Sequence, residues 1–433
     1  MKVSVVGTGY VGLVSGACLA NLGLDVVCAD VDESKIKVLL DGGIPIYEPG
    51  LEEVVHRNVH AGRLSFTTDV GSATRNAEVV FLAVGTPPLA DGSADMRFVF
   101  DAARIFSENH KGYQVIVTKS TVPVGTGARI EEMLLEKHPR DSFAVVSNPE
   151  FLREGSAVSD FTNPDRIVVG CDDPKALEIM KRLFKPQTDN NVRLLVTKRV
   201  SAELIKYASN GFLSVKISFI NEVSRLCEEV GADVMDVARG MGMDSRIGPR
   251  FLNPGPGYGG SCFPKDTRAL LDVAKSHKVP LRVVEAAVAA NEDQIQRALN
   301  KIQKAFGGSV KDKTVALLGL AFKSDTDDIR ESPAVKIAGA LLDAGATVQA
   351  YDPAAAANAL KELPALKTYA DPYEAAHGAD GLVIATEWNE FKKLDWPRLK
   401  TALKAHVVVD LRNLHDPGEV REGGFEYYSV GRL

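Results

Sequence analysis

The sequence has few cysteines and no cysteine pairs. Cys18, Cys28, Cys171, Cys227 and Cys262 are odd in number, dispersed and never spaced as CxxC. That spacing excludes a zinc knot and a disulfide scaffold and points to a reducing compartment. Long basic blocks are also missing, and the net charge is −6, so nucleic acid is not an expected partner. No apolar run is long enough to span a bilayer, and no secretory leader precedes the strand pattern Val3-Ser4-Val5-Val6. The expectation is therefore a cytoplasmic chain without membrane contact. What remains is ordinary: 433 residues, 45% hydrophobic and 25% charged, enough for roughly two to four domains.

The first apolar run ends in Gly7-Thr8-Gly9-Tyr10-Val11-Gly12. A helical pattern follows to Leu22, then a second strand closes on Asp30. A lone GxGxxG is weak. Between a strand and a helix, with an acid about 20 residues on, it is the full dinucleotide fingerprint. Gly7 permits the turn, Gly9 lets a pyrophosphate approach, and Gly12 lets helix and strand pack. Asp30 would accept from the adenosine ribose and repel a 2′-phosphate, which favours NAD over NADP. Lys35 nearby weakens that preference slightly.

Strand patterns at 77–84, 114–118 and 143–146 end in Gly85-Thr86-Pro87-Pro88, Lys119-Ser120-Thr121-Val122-Pro123 and Ser147-Asn148-Pro149-Glu150. In a doubly wound sheet these ends form the ligand crevice. Thr121, Glu150 and Glu154 are thus candidates to face a nicotinamide, or else turn and cap residues. Further strand patterns at 166–170 and 192–196 complete a domain over 1–200.

Residues 201–230 lack proline and read as one long helix, apolar nearly all round, as expected between domains or at a subunit interface. Glu203, Lys206 and Asn210 share one stripe of it, and Lys206 with Asn210 could share an anion. Further on comes Gly257-Tyr258-Gly259-Gly260-Ser261-Cys262-Phe263-Pro264-Lys265-Asp266, whose three glycines, preceded by Pro254 and Pro256, read as a loop that a ligand can approach closely, with Cys262 at its end. A thiol there, with a cation and a carboxylate three and four residues on, suits a nucleophile site; a turn with a buried Cys is the bland alternative.

From Thr314 the βαβ pattern returns: the strand 315–318 ends in Gly319, and Gly345 to Asp352 resembles Gly23 to Asp30. The glycine fingerprint is replaced by an insert, 321–331, whose Lys323 and Arg330 supply cations for a different phosphate ligand. The fold expected is α/β, two Rossmann-like doubly wound domains joined by a long central helix, divided as 1–200, 201–300 and 310–433. His56 and His60 have metal-ligand spacing but no third ligand nearby, and Asp325, Asp327 and Asp328 lack a calcium-loop pattern; no metal is expected.

Taken in order, the GxGxxG, Lys119 to Pro123, Asn148-Pro149-Glu150-Phe151-Leu152-Arg153-Glu154-Gly155, Lys206 with Asn210, the Cys262 loop with Lys265-Asp266, and the stretch 319–331 resemble one family along essentially the whole chain, the nucleotide-sugar dehydrogenases. The resemblance implies oxidation of UDP-glucose to UDP-glucuronate with NAD used twice, in a homodimer built through the long helix. It implies that Cys262 adds to an aldehyde, giving a thiohemiacetal and then a thioester. Lys206, Asn210 and Asp266 manage protons and the oxyanion, and Thr121, Glu150 or Asp266 orients the hydrolytic water. Tyr10, Val11, Thr86, Lys265 and Arg330 join Gly7, Gly9, Gly12, Asp30, Lys35, Thr121 and Glu154 at the cofactor. Phe151, Leu152, Glu154, Lys206, Asn210, Phe251, Leu252, Asn253, Tyr258, Gly259 and Lys323 fall to the UDP-sugar, with Arg246 contributed by a second subunit. Sister enzymes for GDP-mannose or a UDP-N-acetylhexosamine would use the same chemistry. A two-electron hydroxyacid dehydrogenase needs no covalent cysteine. A non-catalytic NAD-responsive binding protein would not need Lys206, Cys262 and Asp266 together.

Overall fold

Runs such as Val79-Val80-Phe81-Leu82 and Gln114 to Thr118 are buried at every position, as parallel strands covered on both faces must be. The computed structural model describes residues 1–432. The chain divides into two compact units, Met1–Ser209 with Arg268–Lys278, and Asn210–Thr267 with the chain from Val279 onward.

The first unit holds an eight-stranded sheet: β1 (Lys2–Val6), β2 (Asp25–Ala29), β3 (Leu64–Thr67), β4 (Val79–Leu82), β5 (Gln114–Thr118), β6 (Phe143–Ser147), β7 (Ile167–Gly170) and β8 (Leu194–Thr197), in the order β3-β2-β1-β4-β5-β6-β7-β8. The chain winds outward from β1, then returns to its other side at β4. That reversal opens a crevice at the strand C-termini, where the fingerprint glycines stand. One pairing departs from the doubly wound expectation: β6 meets β7 antiparallel, through Ser147 and Gly170.

The second unit repeats the plan with β9 (Thr314–Leu318), β10 (Thr347–Tyr351), β11 (Lys367–Thr368), β12 (Gly381–Ile384), β13 (Val407–Asp410) and β14 (Glu426–Ser429), in the order β11-β10-β9-β12-β13-β14. The repeat extends to single bonds. Gly7 N–H donates to Ala29 O at 2.7 Å, and Gly319 N–H to Tyr351 O at 2.8 Å. Both glycines have positive φ, 100° and 96°, so both positions favour glycine.

The long helix is Arg199–Val230, 32 residues or about 48 Å, and it passes from one unit into the next after Ser209. Among the described residues no helix is long and apolar enough to cross a membrane. Helix Phe263–Ser276 begins directly after Cys262, because Pro264 suits a first helical turn, where its missing N–H costs nothing.

Candidate active site

In the first unit, the helix Tyr10–Asn21 follows Gly9 and has no side chain capping its N-terminus. Those N–H groups and the helix dipole favour an anion. A Cβ on Gly9 would meet open space, whereas one on Gly12 would strike the Gly7 carbonyl. Gly9 therefore borders room for a ligand, and Gly12 is needed for packing. Asp30 accepts from Thr8 N–H at 2.6 Å, Thr8 Oγ1 at 2.9 Å and Asp32 N–H at 3.0 Å, so it braces the glycine turn from the end of β2. These residues fit a dinucleotide. Lys35 instead turns toward Asp32, at 3.5 Å and half exposed.

Tyr10 leads to a residue the motif did not mark. Its hydroxyl donates to Glu48, whose carboxylate also accepts from Gly155 and Ala157 N–H, both at 2.7 Å. Burial first, then that hydrogen bond, pushes the Tyr10 phenol well up. Glu48 thus ties the fingerprint helix to the Glu154-Gly155 turn. Only its place in a proline-flanked loop could have hinted at it.

The end of β6 carries a buried ionic cluster. Lys206 Nζ donates to Glu150 Oε1 at 2.7 Å, and Leu152 N–H donates to Glu150 Oε2 at 2.6 Å. Lys119 Nζ donates to Asn148 Oδ1 at 2.9 Å. Burial pushes Glu150 up, but the two lysines and the Leu152 N–H outweigh it and hold the carboxyl below its ordinary value. Burial lowers Lys119 to about 8, with Glu150 opposing and Lys206 reinforcing. Arg166 and Lys206 stand over the Phe151 ring, 3.6 and 5.6 Å from its centroid. Thr86 Oγ1 donates to Thr121 O at 3.0 Å, which joins two of the expected cofactor residues. Glu203, on the Lys206 stripe, caps another helix by accepting from Gly125 and Gly127 N–H at 2.7 and 2.8 Å.

In the second unit, the glycine loop is held by amide side chains. Asn221 Oδ1 accepts from Gly255 N–H, Gln294 Nε2 donates to Gly255 O, and Asn291 Oδ1 accepts from Tyr258 N–H, each at 2.8 Å. Gly260 N–H donates to Arg330 O at 2.9 Å. Gly259 lies against the Glu331 carbonyl and Gly260 against the Phe322 ring, so neither has space for a Cβ. Asp266 is buried and takes Asn210 Nδ2 and Lys265 Nζ, both at 2.6 Å. Lys206 and Asn210 thus each face a carboxylate of their own. Phe251 has φ 65°, a strained setting for a bulky residue, and its ring meets Phe263 at 6.0 Å. Leu252 is buried with Ile220 and Val234, while Asn253 is exposed.

The expected phosphate cations lie in the insert. Lys323 stands over Phe322, 5.6 Å from the ring centroid. Arg330 is exposed and held by Asp328 at 2.7 and 2.8 Å. Arg412 fastens the insert by donating to Phe322 O at 3.1 Å and Ala385 O at 2.8 Å, a role that only its position after a strand could have suggested. Arg246 is exposed and pairs with Asp244 at 2.6 Å.

Three profiles of one family match in order: the NAD binding domain over residues 1–188, the central domain over 200–293 and the UDP binding domain over 316–417. The chain belongs to the UDP-glucose/GDP-mannose dehydrogenase family. A UDP-glucose 6-dehydrogenase of Rhizobium meliloti (strain 1021) is 53% identical over 435 residues, covering 100% of both chains. The solved structure of a UDP-glucose dehydrogenase from Pyrobaculum islandicum is 39% identical, with a TM-score of 0.92, covering 100% of this chain and 98% of that one. A UDP-D-ManNAc dehydrogenase from Pyrococcus horikoshii is 26% identical, with a TM-score of 0.88 and coverage of 100% and 99%. Family membership makes this an NAD-dependent dehydrogenase, in keeping with the fit of the Gly7 to Gly12 turn to a dinucleotide.

Proposed function

We propose that this enzyme oxidises UDP-glucose to UDP-glucuronate at the expense of two NAD and one water, through a covalent intermediate on Cys262. The observation that carries the reading is Cys262, part-buried where the closely packed glycine loop meets helix Phe263–Ser276, with the buried Asp266 one turn on. The N–H groups of a first helical turn favour developing negative charge.

Bound NAD supplies the hydride acceptor in each oxidation. The chain's own residues do the rest. Asp266, through a water, takes the proton of the 6-hydroxyl, and the Lys206 ammonium steadies the negative charge that develops on its oxygen. Cys262 sulfur adds to the aldehyde carbon, and Lys206 with Asn210 stabilises the oxyanion formed. Loss of the second hydride leaves a thioester. Water, oriented by Thr121, Glu150 or Asp266, then breaks its carbon–sulfur bond and releases the carboxylate and the thiol. Gly7, Gly9, Tyr10, Val11, Gly12, Asp30, Lys35, Thr86, Glu154, Lys265 and Arg330 are assigned to the cofactor. Phe151, Leu152, Phe251, Asn253, Tyr258, Gly259, Lys323 and a second subunit's Arg246 are assigned to the UDP-sugar. The NAD-binding, central and UDP-sugar-binding roles are assigned to 1–200, 201–300 and 310–433.

A homodimer through the long helix is part of this reading. Phe212, Phe219, Leu226 and Val230 lie on one helical face and are 65, 47, 61 and 66% exposed, a contiguous apolar stripe of the kind a partner covers. A cytoplasmic location suits five dispersed thiols.

The deciding experiment is NADH formed per limiting UDP-glucose. Two per sugar with an acidic product is expected. One would reduce the enzyme to a simple alcohol dehydrogenase. None, with turnover of GDP-mannose or a UDP-N-acetylhexosamine, would keep the chemistry and move the substrate.

A further inference from the structure

A cavity of about 540 Å³ opens in the second unit between the C-terminal half of the long helix, helix Arg282–Ala305 and the chain end after β14. Six cations line it: Arg225, Arg297, Lys301, Lys304, Arg421 and Arg432; two carboxylates, Glu228 and Glu229, stand among them. Glu228 is engaged with Lys301 at 2.8 Å and Gly431 N–H at 2.7 Å, and Arg432 reaches Asp233 at 3.5 Å. The wall therefore carries a net positive charge. Two buried polar atoms on it have no protein partner, Ser429 Oγ and Arg225 Nε. A hydroxyl 2% exposed and a guanidinium N–H left unbonded are costly unless something accepts from them. Burial, then the Arg297 charge, pushes Arg225 below its ordinary value, which an anion between the two would relieve.

One residue of the cavity wall is bonded to the glycine loop. Gln294 lines the cavity, takes Arg225 Nη2 on its Oε1 at 3.4 Å and donates Nε2 to Gly255 O at 2.8 Å. Ser224 and Glu228 lie on the face of the long helix away from the Phe212–Phe219–Leu226 stripe, with Arg225 and Glu229 on its flank.

We infer that this cavity is a second anion site, for a small molecule bearing a phosphoanhydride, whose occupation reaches the Gly255–Gly260 loop through Gln294. The link to catalysis rests on the proposed function; the binding does not.

The test is calorimetric titration of the full-length protein with sodium tripolyphosphate and, in parallel, ADP. It is run at low ionic strength with UDP-glucose and NADH present to fill the catalytic sites. Sub-millimolar binding is expected, weakened about tenfold or more in the Arg297→Gln/Lys304→Gln double variant and falling with added salt. Both residues are exposed, so the variant keeps its fold. Tighter ADP than tripolyphosphate would place the ligand among nucleotides, and the reverse among simple polyphosphates. Absence of binding, or binding indifferent to the double variant, overturns the site. In turnover, half-saturation by UDP-glucose should move by about twofold or more when tripolyphosphate is added to wild type, and not in the double variant. An unchanged value overturns the link to the loop while leaving the binding result standing. Absence of turnover with UDP-glucose would instead count against the substrate assignment.

Discussion

Lys206 and Glu150 form a buried ion pair at 2.7 Å, with side chains 4 and 5% exposed. Neither charge has water to fall back on, so each depends on the other. Lys206→Met should cost roughly 3–5 kcal/mol of stability, the scale for a buried charge left without its partner. Urea unfolding of the variant against wild type reads it. A loss under about 1 kcal/mol would mean that Glu150 stays neutral or is satisfied elsewhere.

The same pair sets an acid limit. Burial raises the Glu150 carboxyl, but Lys206 outweighs it and keeps the folded pKa below the ordinary value. A lowered carboxylate contributes stability that is complete above the unfolded pKa, about 4.3, and is lost as pH falls through the folded one. Wild type should lose stability on acidification below that point more steeply than Glu150→Gln, which has no proton to take up. Parallel acid titrations of the unfolding free energy would show it; equal slopes would contradict the charged pair.

Lys119 behaves oppositely. Its folded pKa is about 8, against an ordinary 10.5, because burial penalises the ammonium more than Glu150 rewards it. Between those values the unfolded chain binds more protons, so stability should rise with pH from about 8 to about 10.5. Below the lower value the buried charge costs on the order of 3 kcal/mol. Lys119→Met removes that cost along with the bond to Asn148. It should match or exceed wild-type stability at neutral pH and lack the alkaline rise. Melting temperatures of both proteins across that range are the measurement.

Much of this arrangement was legible in order along the chain. Gly7, Gly12 and Asp30 occupy the positions their spacing demanded, because a tight strand-to-helix turn leaves few alternatives. Gly319 and Asp352 were readable as a repeat for the same reason, and Asp352 accepts from Leu320 and Ala321 N–H at 2.7 and 3.0 Å. Illegible were the partners brought in from far along the chain. Glu48 binds Gly155 across 107 residues, and Asn291 binds Tyr258 across 33. A single Glu or Asn carries no periodicity, so only the fold shows what it holds. The antiparallel β6–β7 junction was hidden too, since a four-residue apolar strand reads alike in either direction.

Gly259 faces the Glu331 backbone carbonyl with no room for a methyl group. A backbone atom cannot swing aside as a side-chain tip can, so Gly259→Ala must move the loop or the insert. We expect a destabilisation of about 1–3 kcal/mol, the usual range for overpacking. The kcat/KM for UDP-glucose should fall by more than that stability loss accounts for, because the displaced loop carries Cys262. Gly9→Ala is the control, since its Cβ meets open space. It should leave stability nearly unchanged and weaken NAD instead. If both variants behave alike, the loop–insert contact does not position the thiol.

Cys262→Ser tests the covalent step itself. A serine hydroxyl is far less ionised than a thiol at neutral pH, and an oxygen ester hydrolyses differently from a thioester, so the variant should stall after forming the aldehyde or its adduct. Steady-state NADH production should drop on the order of 10³-fold or more, as removal of a nucleophile does elsewhere. NAD binding, which we assign to the Gly7–Gly12 turn and Asp30, should be unchanged. Rapid mixing should then show at most one NADH per active site before the stall, and exchange of the aldehyde with a trapping amine. Full turnover by Cys262→Ser would remove the thioester from the mechanism and leave Asp266 to direct water onto the aldehyde, the hydrate then giving up the second hydride.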